Sequence, residues 1–187
     1  YSHPESILDA NQLAAANYLV QRRCEGIPVA YLLGQKEFWS LMLTVDERVL
    51  IPRPETEAII DYILQLHLPE QASVIDLGTG SGAIALALAS EKPSYFVVAS
   101  DFSEGAIAVA KKNTQQLAAN GSCHEITLLR GDWLSAFSEN SFDLVVSNPP
   151  YIDEQDPHLQ QGDVRFEPLS ALVSKDSGYD DIKLISR

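Results

Sequence analysis

Residues that build metal or disulfide chemistry are scarce in this chain: its 187 residues include 2 cysteines and 4 histidines. Cys24 and Cys123 lie far apart and make no metal-type pair. They suit a reducing cytosol better than a disulfide-stapled secreted domain. His3, His67, His124 and His158 form no i,i+4 pair and no His/Cys cluster. Basic residues are scarce as well. Thirteen Lys and Arg face 26 Asp and Glu, for a net charge of −13. That balance gives no bulk attraction to phosphate backbones and argues against charge-led nucleic-acid binding. Long apolar runs are missing too. The longest stretch of small apolar residues, Ala83 to Ala89, is far too short to span a bilayer. No stretch reads as a signal peptide, an internal repeat or a low-complexity tract. The expectation is a cytoplasmic protein with no membrane partner and no direct nucleic-acid partner.

What the chain does have is apolar content, 45%, enough for a packed core. Its length suits one domain with a small appendage. From Glu5 to Arg23, alanines and leucines interspersed with polar residues predict a helical element ending near Gly26-Ile27-Pro28. Glu37 to Val45 is rich in strand formers, Asp46-Glu47 suits a turn, and Arg48 to Ile51 reads as a return strand, so a β-hairpin is expected. Pro52-Arg53-Pro54-Glu55-Thr56-Glu57 opens a helix, with Pro54 in its first turn and Glu55 and Glu57 at the positive end of its dipole.

From Ser73 the pattern alternates. Strands are expected at 74–77, 96–101, 126–129 and 142–147, with helices over 83–89 and from Ser103 to about Ala119. Strands separated by helices imply an α/β fold with a Rossmann-like, doubly wound parallel sheet. Four strands make a thin sheet whose last member is an exposed edge, so the chain reads as a fragment. Beyond Tyr151, the acids Asp153, Glu154, Asp156 and Asp163 with His158 show no recognisable metal spacing; a solvated active-site loop is the better reading.

Four groups of residues follow the four strands. Gly78-Thr79-Gly80-Ser81-Gly82 links the first strand to a helix and lets a ligand approach the backbone. The same stretch fits G-x-G-x-x-A through Gly78, Gly80 and Ala83, so the loop by itself leaves nicotinamide and S-adenosylmethionine (SAM) enzymes both open. Asp101 ends the second strand, where a carboxylate accepts from both hydroxyls of a ribose. Asp132 and Trp133 follow the third strand, where an acceptor and a flat wall suit an adenine. Asn148-Pro149-Pro150-Tyr151 follows the fourth strand. Two prolines fix two φ angles and remove two N–H donors, Asn148 adds a carbonyl acceptor, and Tyr151 adds a flat face. The result is a stiff, acceptor-rich pocket suited to a planar –NH2 group. All four groups lie on one edge of the sheet, where open α/β sheets place their ligands.

Asp76-Leu77-Gly78-Thr79-Gly80-Ser81-Gly82, Asp101, Gly131-Asp132-Trp133 and Asn148-Pro149-Pro150-Tyr151 resemble the motif series of class I SAM-dependent methyltransferases. More narrowly, 37–41 and 50–57, with Tyr151-Ile152-Asp153, 165–168 and 171–173, resemble the HemK/PrmC family, the protein-glutamine N5-methyltransferases of peptide-chain release factors. The resemblance implies that residues 1–26 are a remnant of an N-terminal helical domain, 27–53 a β-hairpin linker, and 54–187 a SAM-binding domain without its last strands. It implies that the Gly78–Gly82 loop holds the methionine end of SAM, Asp101 the ribose, and Asp132 and Trp133 the adenine side, with Asn148 also at the cofactor. It also implies that Asn148 and Pro149 bind the glutamine amide of a release-factor Gly-Gly-Gln motif, with Pro150 beside them and Tyr151 packed on the amide. The alternatives are a nucleic-acid amino methyltransferase and a non-catalytic nucleotide-binding module or dehydrogenase. The charge and the 52–57 segment count against the first. The second would bind NAD and not SAM.

Overall fold

A computed structural model describes residues 7–186. Helix α1 (Ala10–Cys24) starts at a capping box in which Asp9 accepts from the Asn11 and Gln12 backbone and the Gln12 side chain accepts from Asp9 N–H. The short helix α2 (Val29–Leu33) ends at Gly34 in the left-handed region. Strands β1 (Gln35–Phe38) and β2 (Leu41–Thr44) then form an antiparallel hairpin.

The hairpin is present, but its strands differ from the expectation. The run Glu37 to Val45 contains the turn, and Arg48 to Ile51 lies outside any strand. The turn is Trp39-Ser40, with φ of 50° and 58°. Two consecutive positive φ angles define the tight hairpin turn usually signalled by Asn-Gly. Here neither residue gives that signal. Their placement is held from outside: Trp39 N–H donates to Glu57 Oε1 (2.9 Å) and its indole Nε1–H to Glu91 Oε1 (2.8 Å). Phe38, Leu41 and Leu43 anchor the hairpin in the main core.

A single 3₁₀ turn at Pro54–Thr56 leads into α3 (Glu57–Leu64). The alternating part follows: β3 (Ser73–Leu77), α4 (Ala83–Glu91), β4 (Phe96–Asp101), α5 (Glu104–Ala119), β5 (Thr127–Arg130) and β6 (Leu144–Ser147). The sheet order is β5-β4-β3-β6, with every pairing parallel. The chain therefore steps outward from β3 and then returns to β3's other side, which places a topological switch point between β3 and β6. Residues 83–89 of α4 are all buried, which explains a helix made of alanine, isoleucine and leucine with no polar stripe. Strand β6 is shorter and less buried than its apolar sequence suggested. Only Val146 is buried and Val145 is 41% exposed, because β6 pairs on one side alone.

After β6 the chain forms a strap of short 3₁₀ turns over residues 157–171. Ile152 pairs in parallel with Val173 across this strap, through Ile152 N–H to Leu172 O (2.9 Å) and Ser174 N–H to Ile152 O (3.0 Å). The left-handed turn α6 (Lys175–Gly178) and α7 (Asp180–Ile185) follow. A Cβ at Gly178 would collide with the Tyr151 carbonyl, so this glycine sets how closely the strap returns to the tetrapeptide. Among the described residues no helix is long and apolar enough to cross a membrane.

Candidate active site

Register aligns the carboxyl ends of the strands. Leu77 pairs with Ser100 on one side and Ser147 on the other, and Asp101 pairs with Arg130. The residues that follow therefore share one edge of the sheet. Ser147 Oγ donates to Leu77 O (2.8 Å) and ties the start of the tetrapeptide to the start of the glycine turn.

The glycine turn is fixed from within. Thr79 Oγ1 donates to the buried Asp76 Oδ2 (2.6 Å), as does Ala85 N–H (3.3 Å). Burial pushes the Asp76 carboxyl up to about 7, against these two donors, and Oδ1 has no hydrogen-bond partner among the described residues. Asp101 braces the turn from the next strand. Its Oδ2 accepts Gly80 N–H (2.9 Å) and its Oδ1 accepts Ser103 N–H (2.8 Å). Burial raises the Asp101 carboxyl above its ordinary range, and the two N–H groups oppose that rise. Asn113, fully buried on α5, clamps the turn to the hairpin. Its Nδ2 donates to Ser81 O (2.9 Å) and Thr44 O (3.0 Å), and its Oδ1 accepts Thr44 N–H (2.7 Å).

Two cavities meet at this edge. The first, ≈ 390 Å³, is lined by Gly78, Gly80, Asp101, Asp132, Trp133, Asn148 and Pro150, together with 48–50, 102–103, Pro168, Ser170 and Ala171. Trp133 has a φ of 45° and lays its ring 3.4 Å from where a Gly78 Cβ would stand. Among the described residues, a Cβ at Gly80 would meet no atom within 4 Å, so its backbone is open to a ligand. The second cavity, ≈ 400 Å³, is lined by Arg53, Glu55, Thr56, Ile59, Asn148, Pro149, Tyr151 and Leu172. Leu50, Asn148 and Ala171 line both. Asn148 Nδ2 points to Thr56 Oγ1 at 3.5 Å, which leaves Oδ1 available to accept. The second cavity's walls are held together by Glu167, whose Oε1 accepts from Arg53 Nη2 (2.5 Å) and whose Oε2 accepts Ile51 N–H (3.2 Å).

The structure thus gathers Gly78, Gly80, Asp101, Asp132, Trp133, Asn148 and Pro150 around one cavity and Asn148, Pro149 and Tyr151 around the other. Thr79, Ser81 and Gly82 line neither; they are buried and spend their polar groups on Asp76, Asn113 and the turn itself. Sequence reasoning did not find Arg48, Phe102, Thr56 or Glu167. The 48–51 segment reads as a strand from sequence, and Glu167 enters there only within the 165–168 stretch of the family resemblance.

Two family models match the chain. The family model of the methyltransferase small domain matches residues 59–164, and that of the PrmC N-terminal domain matches residues 1–34. The release factor glutamine methyltransferase of Shewanella oneidensis is 49% identical over 187 residues, covering all of this chain and 64% of its own length. That of Escherichia coli is 52% identical over 179 residues, covering 95% of this chain and 63% of its own length. The chain therefore spans slightly less than two thirds of these relatives. Among solved structures, the hMettl16 catalytic domain in complex with MAT2A 3'UTR hairpin 6 aligns at a TM-score of 0.63 over 91% of this chain and 71% of that one. At 17% identity this likeness is one of fold. With the matched region running from α3 through the glycine turn and the tetrapeptide into the strap, the chain belongs to the methyltransferase small domain family.

Proposed function

We propose that the chain catalyses SAM-dependent N5-methylation of a glutamine side-chain amide in the Gly-Gly-Gln motif of peptide-chain release factors. The observation that carries this reading is the junction of two cavities at Asn148. One cavity has the groups for a nucleoside and the other has the groups for a planar amide. The names of the Shewanella and Escherichia relatives support the release factor as substrate.

The first cavity's donor and acceptor set fits SAM. Asp101 keeps lone pairs for ribose hydroxyls beyond the two N–H bonds it accepts. Asp132 and the Trp133 ring suit an adenine, and Gly78 and Gly80 leave room beside the backbone. When bound, SAM supplies an electrophilic sulfonium methyl, which passes to the amide nitrogen as the C–S bond breaks to a thioether and the nitrogen gives up a proton to solvent.

The chain's own residues make the amide reactive. An amide nitrogen is a weak nucleophile because its lone pair is delocalised into the carbonyl. Asn148 Oδ1 and the Pro149 carbonyl, accepting its two N–H bonds, hold the nitrogen and raise its electron density. Pro149 and Pro150 have no N–H to compete for those acceptors. Tyr151, 63% exposed at the cavity wall, offers its ring to the amide plane. As positive charge develops on nitrogen, the same acceptors stabilise it, so the rate comes from positioning and electrostatics. No residue forms a covalent intermediate in this scheme.

The test is mass spectrometry of a purified release factor after incubation with the protein and SAM. The expected result is a single added methyl group on the Gly-Gly-Gln glutamine. An unmodified release factor alongside methylated nucleic acid would contradict the reading.

A further inference from the structure

We propose that Arg53 is a substrate-binding residue that donates hydrogen bonds to backbone carbonyls of the peptide flanking the target amide. This inference rests on the amide-methylation reading above. Arg53 lines the second cavity together with Glu55, Thr56 and Asn148. Its side chain is 34% exposed, while that of its partner Glu167 is wholly out of solvent. Glu167 accepts from Arg53 Nη2 and, through its other oxygen, from Ile51 N–H. A guanidinium carries five N–H donors in a rigid fork, and a single contact to one carboxylate oxygen leaves most of them for a ligand. A side chain already tethered in this way loses little rotamer freedom when it binds.

The ion pair also selects the kind of acceptor. Glu167 neutralises the guanidinium, and Glu55 adds a second carboxylate to the same neighbourhood. The cavity wall therefore carries donors without net positive charge. Such a wall does not attract phosphates, which need uncompensated cations. It suits neutral carbonyls, and a peptide backbone offers one at every residue, side chain or none. A glycine-flanked target has little else to be held by.

Methyl transfer by the full-length protein to a purified release factor tests this, with equilibrium SAM binding measured in parallel. Arg53→Met is expected to raise KM for the release factor about tenfold, the worth of a hydrogen bond to a charged group. kcat should stay within about threefold, and SAM affinity should not change. Glu167→Gln keeps the guanidinium and one acceptor for it but turns an amide –NH2 toward Ile51 N–H, so stability should fall while KM rises by clearly less than in Arg53→Met. If Arg53→Met does not fold, Arg53→Lys retains the ion pair without the fork, and its KM should rise in the same direction. An unchanged KM overturns the proposal. So do equal losses in the Arg53 and Glu167 variants, because a brace between two loops gives that pattern. Single-stranded RNA that competes with the release factor in wild type, but not in Arg53→Met, overturns it in favour of phosphate binding. If wild type transfers no methyl to the release factor, the underlying reading fails; if wild type does and Arg53→Met is unaffected, only the role of Arg53 fails.

Discussion

The two cavities are built in different ways. Most of the first is made by residues that directly follow strands: Gly78 after β3, Asp101 at the end of β4, Gly131 to Trp133 after β5, and Asn148 after β6. Register between paired strands puts them together, and hydrogen bonds of 2.6–2.9 Å from Thr79, Gly80 and Ser103 hold the turn. The second cavity has one strand end, at Asn148. Its other walls come from 50–59 and 151–172, joined by the Arg53–Glu167 pair and the Ile152–Val173 bridge. A ligand site set by a parallel sheet is local in sequence at each strand end. One set by two loops depends on contacts more than 100 residues apart, such as Ile51 to Glu167 at |i−j| = 116. The first arrangement suits a cofactor shared by many enzymes, and the second leaves the substrate side free to vary.

Asn148 is where the two meet, so its loss should have the largest effect. Asn148→Ala is expected to lower kcat about 10²–10³-fold, by analogy with removing one preorganised polar group from an active site. SAM affinity should change far less, and a stopped-assay kcat with parallel binding isotherms separates the two. Next is Asn113, which belongs to the first region alone. Asn113→Ala leaves Thr44 N–H, Thr44 O and Ser81 O without their partner. A destabilisation of about 2–3 kcal/mol follows for buried groups left unpaired, read as a lower denaturant midpoint with an unchanged slope. Asp101→Ala should weaken SAM binding by about 1.5–3 kcal/mol, the value of charge-assisted hydrogen bonds, and leave KM for the release factor nearly unchanged. Equal effects of Asp101→Ala on both ligands would erase the distinction between the cavities.

The remaining expected effect is in pH dependence. Asp76 titrates at about 7 in the folded chain because it is buried, against 3.8 ordinarily. Between these values the folded state holds a proton that the unfolded state has released. Stability from this group is therefore full below about pH 4 and is lost as pH rises toward 7, with no further change above. Asp76→Asn removes this titration. The melting temperature of the variant relative to wild type, without ligand, should be more favourable at pH 8 than at pH 5. A difference that is flat with pH would place the Asp76 charge elsewhere than in a desolvated site.

Legibility from sequence follows the same contrast. The alternation of apolar runs and glycine or polar turns after Ser73 marks the four strands, helices α4 and α5 and the residues at the sheet's carboxyl edge, because each signal is local. Ser103 capped α5 as its type suggests. The hairpin turn was hidden because Trp39 and Ser40 adopt positive φ without glycine or asparagine, and what holds them, Glu57 and Glu91, is remote. Asn113 sits mid-helix, where a polar side chain carries no local signal of its role, and only the packing of α5 on β2 shows it as a clamp. Glu167 and Thr56 lie in stretches that carry the family resemblance, but their pairing is not legible because their partners, Arg53 and Asn148, lie 114 and 92 residues away. Thr79 and Ser81 show that a motif position can also serve the turn itself.

The central claim is that the two cavities hold donor and acceptor on either side of Asn148. A crystal structure of the protein with S-adenosylhomocysteine and a glutamine-containing peptide tests it most directly. The account predicts the nucleoside against Asp101 and Trp133, and the glutamine amide nitrogen within hydrogen-bond distance of Asn148 Oδ1 and the Pro149 carbonyl. An amide bound away from the tetrapeptide, or a peptide lying in the Gly78–Asp101 cavity, would contradict it.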